Sequence, residues 1–220
     1  MKLTLHNYNR CPFCIRTRIL MYLKKIPYEI VEEPLRVWTP WMKKWSSSNN
    51  ERPRVPVLRY TNESGIEKIM PESNDINLFL DATVGEIEFT PTKDSPAYEE
   101  MRGWFTWCAK ELKPVLDLYK YGENKIFDNE KHPAHTKQLG VLVQVLEDAL
   151  TKDGPSQNRY LLGERLTLAD IAIIPFVRQI MRTREGEFDF TPYPKVHAWT
   201  NSIIETDWFK EVVMNRSTVD

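Results

Sequence analysis

Leu3-Thr4-Leu5-His6-Asn7-Tyr8-Asn9-Arg10-Cys11-Pro12-Phe13-Cys14-Ile15-Arg16-Thr17-Arg18-Ile19-Leu20-Met21-Tyr22-Leu23 is the stretch that decides how this chain folds. Leu3 and Leu5 alternate with polar neighbours, as in a strand with one apolar face. From Ile15 to Leu23 the apolar residues recur at helical spacing. A dithiol, Cys11 and Cys14, therefore stands where a strand turns into a helix. Pro12 suits the first helical turn, where its missing N–H costs nothing. Cys11 then lies at the helix N-terminus, where unpaired N–H groups and the macrodipole favour a thiolate.

Outward from this stretch, Lys24-Lys25-Ile26-Pro27 stops the helix, and Tyr28 to Glu32 alternates as a strand. Trp38, Trp41, Met42 and Trp45 recur at three- and four-residue steps, which predicts a short aromatic-faced helix. Ser46 to Arg54 is a polar, Pro-containing loop. Val55 to Tyr60 and Ile66 to Ile69 predict a hairpin around Asn62-Glu63-Ser64-Gly65. Ser73 is placed to cap a helix from Asn74 to about Val84, with Asp75 in its first turn. The predicted order is β-α-β-α-β-β-α.

Gly85 to Pro96 reads as a linker, and beyond it nearly everything is helical. Tyr98, Met101, Phe105, Cys108 and Leu112 form one apolar stripe; Leu139, Leu142, Val143, Leu146 and Leu150 form another. Thr167-Leu168-Ala169-Asp170 has the form of a capping box, flanked by Leu166 and Ile171 as a hydrophobic staple. Ile171 to Val177 is apolar almost all round, as expected of a helix central to a bundle, and Pro175 is expected to bend it.

Composition narrows the function classes. The 220 residues are 41% hydrophobic and 28% charged, an ordinary globular balance. A net charge of −1 gives no electrostatic case for nucleic acid or an anionic membrane. No apolar run approaches the roughly 20 residues of a membrane span, and the N-terminus lacks a signal-peptide stretch. Three cysteines make no disulfide framework and fit a reducing compartment, so a cytoplasmic location is expected.

A Cys-x-x-Cys pair has several meanings. Zinc needs a second pair of Cys or His ligands. Cys108 stands alone, and His132 and His135 lie in a polar, Pro-broken segment, so no metal is expected. A structural disulfide closing so short a loop removes little chain entropy. Redox or thiol chemistry is what remains.

Strand–CPFC–helix, then Val55-Pro56 opening a strand, then Glu72-Ser73 at a helix start, resembles the glutathione-binding thioredoxin-like domain. With the helical half carrying Gly163-Glu164-Arg165-Leu166-Thr167-Leu168-Ala169-Asp170, the whole chain resembles the glutathione-transferase superfamily. Within it the chain is most similar to the two-domain bacterial glutaredoxins, although Phe13 stands where those more often have Tyr. The resemblance implies an α/β thioredoxin-like N-terminal domain over residues 1–84, a linker over 85–96 and an all-α domain over 97–220. It places a site in the cleft between the domains and makes glutathione the substrate or co-substrate. Small or protein disulfides are the implied partners, and the assembly is a monomer or homodimer.

Carried over residue by residue, the resemblance makes Cys11 the nucleophile and Cys14 the buried resolving thiol. Pro56 is the cis-proline that exposes the Val55 backbone to the cysteinyl part of glutathione. Glu72 takes the γ-glutamyl ammonium, and Ser73 offers hydroxyl and N–H to the γ-glutamyl carboxylate. Arg54 and Arg10 are contacts for the glycyl carboxylate or the thiolate. Phe13 lies within the motif, and Trp104, with Trp107, sits on the first long helix, where substrate contact and inter-domain packing both stay open.

The reaction implied is glutathione-dependent thiol–disulfide exchange or deglutathionylation. Lowering a thiol from about 8.5 to about 5 raises the thiolate fraction at pH 7 some 30-fold, while nucleophilicity falls about 25- to 55-fold. The gain is then in leaving, when glutathione or Cys14 attacks the mixed disulfide. The alternatives are conjugation of glutathione to small electrophiles, for which Tyr8 is the nearby phenol, and a non-enzymatic regulator of the same fold. Trp38, Trp41 and Trp45 suit a core more than an acceptor surface, Cys108 reads as a buried small hydrophobe, and His6 and His197 show no ligand constellation.

Overall fold

A computed structural model of the chain describes residues 1–34, 36–62, 64–152, 159–184 and 187–214. Glu63, in the expected hairpin turn, lies outside them. The chain divides into two compact units: Met1–Glu88 with the described residues from Asp207 onward, and Phe89–Thr206.

In the first unit, β1 (Leu3–Asn7), α1 (Pro12–Leu23), β2 (Glu29–Glu32), α2 (Pro40–Ser48), β3 (Val57–Thr61), β4 (Glu67–Met70) and α3 (Ser73–Thr83) follow the predicted order. Among the described residues the sheet order is β2-β1-β3-β4. β1 runs parallel to β2, with Leu5 opposite Ile30, and antiparallel to β3, with Leu5 opposite Leu58. β4 closes the hairpin with β3, Arg59 opposite Ile69. All five β1 residues are buried. Successive side chains point to opposite faces: His6 stacks on Trp41 of α2, while Asn7 bonds Arg18 of α1. The sheet is mixed, and the helices between its strands follow the α/β order that the sequence predicts.

Three local expectations are corrected. Trp38 lies outside the aromatic helix, with φ of 53°, because Pro40 fixes the helix start and Thr39 caps it by accepting from Met42 N–H. Ser73 is the first residue of α3, and Glu72 is the N-cap. The Ser73 hydroxyl is engaged by Arg16 and does not cap the helix. The chain from Asp207 belongs with the first unit, not with the helical domain expected over 97–220. Phe209 and Val212 are buried there, and Glu211 accepts from the Tyr22 hydroxyl of α1 at 2.7 Å.

A buried ion pair also braces this unit. Lys24 Nζ donates to Asp81 Oδ1 at 2.9 Å, Asp81 O at 2.7 Å and Ile87 O at 2.7 Å. It ties the ends of α1 and α3 to the chain leaving the unit.

The second unit is helical: α4 (Pro96–Trp107), α5 (Lys113–Tyr121), α6 (His132–Thr151), α7 (Leu168–Arg182) and α8 (Pro194–Ile204). A π-helical segment, Cys108–Leu112, joins α4 to α5. Pro114 follows it and lacks the N–H an α-helical ladder needs, which accounts for the widened turn. His132 and His135 lie inside α6 and are buried, in place of the Pro-broken segment expected, because Pro133 occupies the first turn. α7 is buried along most of its length, as its apolar run predicts. Its capping box forms: fully buried Asp170 accepts from Thr167 N–H and Oγ1–H at 2.9 Å, from Leu161 N–H at 2.9 Å and from Trp199 Nε1–H at 3.1 Å. Burial pushes its carboxyl up to about 6 against these four bonds. Among the described residues no helix is long and apolar enough to cross a membrane.

Candidate active site

The turn between β1 and α1 is pinned from two sides. Arg18, buried in α1, donates Nη1 to Asn7 Oδ1 at 2.9 Å and Nη2 to the Asn9 carbonyl at 3.0 Å. Glu32, at the end of β2, accepts from the Asn7 amide and the Asn9 backbone N–H. The Cys11 N–H closes the turn on the Tyr8 carbonyl at 3.0 Å. Cys11 is the N-cap of α1 with Pro12 at its first position. The strand-to-helix junction read from the motif is therefore present.

The two thiols have opposite environments. Cys14 is fully buried and Cys11 partly exposed. The Cys14 sulfur accepts from Tyr8 N–H at 3.3 Å and donates its own proton toward the Cys11 sulfur. That side-chain hydrogen bond is the largest influence holding Cys11 down, to about 7. Burial opposes it, while the N–H groups of Cys14 and Phe13 and the Arg16 charge assist. Cys14 is pushed well above the usual thiol value, first by burial and then by bonding to the Cys11 thiolate. One sulfur is thus prepared to be a thiolate while its neighbour keeps a proton.

Other predicted residues converge on this corner. The Val55 carbonyl lies 3.9 Å from Cys11 Sγ, and the Val55–Pro56 peptide is cis. Ser73 Oγ accepts from Arg16 Nη1 at 3.3 Å, and the same nitrogen reaches Asn74 Oδ1 at 3.3 Å. The Arg16 guanidinium lies 5.0 Å from the centre of the Phe13 ring. Exposed Glu72 accepts from Arg54 Nη1 at 2.8 Å, and Arg54 Nη2 reaches Glu51 at 2.7 Å. Arg10 turns elsewhere: it donates Nε to the Tyr8 hydroxyl at 3.1 Å and covers that ring. Trp104 is buried in α4 of the second unit, edge-on to Trp107 at 5.2 Å.

The aromatic helix serves packing. Trp41 stacks on His6 at 4.0 Å and on Trp45 at 6.0 Å, with Arg59 4.8 Å from its ring centre. His6 Nδ1 is 2.6 Å from Glu33 Oε1, and buried Glu33 also accepts from Thr39 N–H and Oγ1–H. His6 is consequently a core histidine, its imidazolium disfavoured chiefly by burial.

Sequence reasoning passed over Arg16 and Arg18. Their signal was two arginines in a helix whose other residues from Cys14 to Met21 are mostly apolar, on an element that must pack against a sheet.

Comparison with known proteins gives the same frame. Residues 5–88 match the family model for the glutathione S-transferase N-terminal domain, and 103–207 match that for its C-terminal domain. Glutathione S-transferase U28 of Arabidopsis thaliana is 25% identical over 198 residues, 88% of this chain and 80% of that protein. Glutaredoxin 2 of Escherichia coli K12 is 25% identical over 199 residues, 80% of this chain and 84% of that protein. A glutathione transferase family member from Pseudomonas fluorescens, solved with two glutathione bound, superposes with a TM-score of 0.79 at 18% identity, over 96% of this chain and 92% of that one.

Proposed function

The chain belongs to the glutathione S-transferase family, and from that premise we propose that it is a glutathione-dependent thiol–disulfide oxidoreductase working through Cys11. The observation that carries the reading is the asymmetric dithiol. Cys11 is held near 7 by the bond from a buried, protonated Cys14.

In the proposed cycle the Cys11 thiolate attacks the glutathionyl sulfur of a mixed disulfide. A Cys11–glutathione disulfide forms, and the substrate thiolate leaves and takes a proton from solvent. A second glutathione, having lost its proton, attacks the glutathionyl sulfur of that intermediate. Glutathione disulfide departs, and Cys11 returns as a thiolate. The substrate sulfur is reduced, the sulfur of the incoming glutathione is oxidised, and the transferred glutathionyl sulfur stays at the disulfide level throughout. Mixed disulfides of glutathione with a small thiol or with a protein thiol both fit this sequence.

The magnitudes suit both steps. Against a free thiol near 8.5, a value of about 7 raises the thiolate fraction at pH 7 about 16-fold and lowers nucleophilicity about 4- to 6-fold. Attack gains about 3- to 4-fold, and Cys11 is also a better leaving group than an ordinary thiol. The alternative resolving step needs the Cys14 thiolate, which burial disfavours. The monothiol route is therefore the preferred one.

For glutathione itself, Glu72 takes the γ-glutamyl ammonium, releasing or sharing Arg54, and Ser73 takes the adjoining carboxylate. The Val55 backbone pairs with the cysteinyl unit. Tyr8, the phenol conjugation would use, accepts from Arg10 Nε and keeps its own O–H to donate, so the reading rests on the dithiol and not on the state of this phenol. The test compares reduction of a small glutathione mixed disulfide with conjugation of an aryl halide, in wild type and Cys11→Ser. The expected result is reduction by wild type alone. Conjugation by Cys11→Ser without disulfide reduction by wild type overturns the proposal.

A further inference from the structure

We infer that Arg16 is a positioning residue that makes the start of α3 a seat for a carboxylate, and so sets selectivity for the α-carboxylate of the γ-glutamyl group. The inference rests on the glutathione reading above and gives Arg16, whose charge also assists the Cys11 thiolate, a second role at the γ-glutamyl end, exerted through Ser73 and not by touching the ligand.

A guanidinium only donates. Where Arg16 Nη1 meets Ser73 Oγ, the serine oxygen must therefore be the acceptor. The Ser73 O–H proton is left to point at a second acceptor. A serine hydroxyl is otherwise a rotor that serves as donor or acceptor, so this contact fixes its sense. Ser73 is buried and is also the first residue of α3, where backbone N–H groups have no intrahelical partner. Hydroxyl and N–H are thus both donors at one place.

Three further features make Arg16 suited to this task. It is 2% exposed, so its charge acts in a medium less screening than water. The bond from the same nitrogen to Asn74 Oδ1 fixes its position across two successive α3 residues. The Phe13 ring, 5.0 Å away, holds the guanidinium from the active-site turn. Glu72 precedes Ser73 with its carboxylate exposed, so adjacent positions present opposite preferences. That pair of preferences matches an α-amino acid end, with its ammonium beside its carboxylate.

The test measures equilibrium binding of two thiol-blocked ligands, so that changes at Cys11 do not enter. One is S-methylglutathione; the other is the same tripeptide with 4-aminobutyrate replacing the γ-glutamyl residue, which removes only the α-carboxylate. Arg16→Gln is expected to weaken S-methylglutathione about 10-fold and to leave the decarboxylated ligand within about 2-fold. Ser73→Ala is expected to reduce the same preference, and adding Arg16→Gln to it to reduce the preference by less than in wild type. Arg16→Lys keeps the charge on a shorter side chain without the rigid guanidinium plane that places Nη1 between Ser73 and Asn74, so it is expected to lose part of the preference. Equal weakening of both ligands, or an unchanged preference in the folded variants, overturns the role of Arg16 alone. Failure of wild type to bind either ligand overturns the glutathione reading, and this inference with it.

Discussion

Replacing Cys14 by alanine should make Cys11 a less acidic thiol, and the size of the change can be worked from the site. The hydrogen bond from Cys14 is the largest influence bringing Cys11 to about 7. A hydrogen bond to a charged group contributes about 1.5–3 kcal/mol, and 1.36 kcal/mol corresponds to one pKa unit, so Cys11 should rise to between about 8 and about 9 in Cys14→Ala. At pH 7 the thiolate fraction would fall from about one half to about 1–10%. Each remaining thiolate would be about 3- to 8-fold more nucleophilic, so alkylation at pH 7 should slow only about 2- to 6-fold. At pH 10, where both proteins are ionised, the variant should instead react faster, by the same 3- to 8-fold or so. The pH profile of iodoacetamide alkylation should therefore cross that of wild type between those limits. Cys14→Ser retains an O–H donor and should stay nearer the wild-type curve. A Cys14→Ala profile that superposes on wild type, half-maximal near 7, would refute the assignment of Cys14 as the group that acidifies Cys11.

Three further outcomes follow from the scaffold. Lys24→Met should cost about 3–5 kcal/mol in chemical denaturation because it strands Asp81, while Lys24→Met with Asp81→Leu should recover most of the loss; equal instability of both variants would count against a charge explanation. Asp170→Ala should cost at least about 3 kcal/mol, since it leaves the Leu161, Thr167 and Trp199 N–H donors buried without their acceptor; a loss under about 1 kcal/mol would contradict the network. Gly122 has φ of 72°, and a β-carbon there would meet the Ile126 carbonyl oxygen at 2.0 Å. Gly122→Ala should thus lower stability by more than about 2 kcal/mol, read by the same denaturation.

The motif and its flanks made the fold legible because both periodicities were clean. Leu3 and Leu5 alternate, Ile15 to Leu23 turn helically, and Pro12 marks the boundary between them. Side-chain pairing was less legible. Ser73 looks like an N-cap from its neighbours, but Arg16, fifty-seven residues earlier, takes its hydroxyl. Trp38 shares the spacing of Trp41 and Trp45, yet Pro40 excludes it from their helix. The return of Phe209 and Val212 to the first unit is a long-range packing event with no local pattern to announce it. Likewise, a helix-terminal thiolate was readable at Cys11, whereas the dominance of Cys14 over the helix end follows from the burial of Cys14 and its pairing with Cys11, which spacing alone does not give.

The most direct test of the account is the intact mass of Cys14→Ser after incubation with a small glutathione mixed disulfide, followed by peptide mapping. The account predicts one glutathionyl adduct, located on Cys11 and discharged by added glutathione with release of glutathione disulfide. A protein that stays unmodified, while wild type still reduces the disulfide, would contradict it.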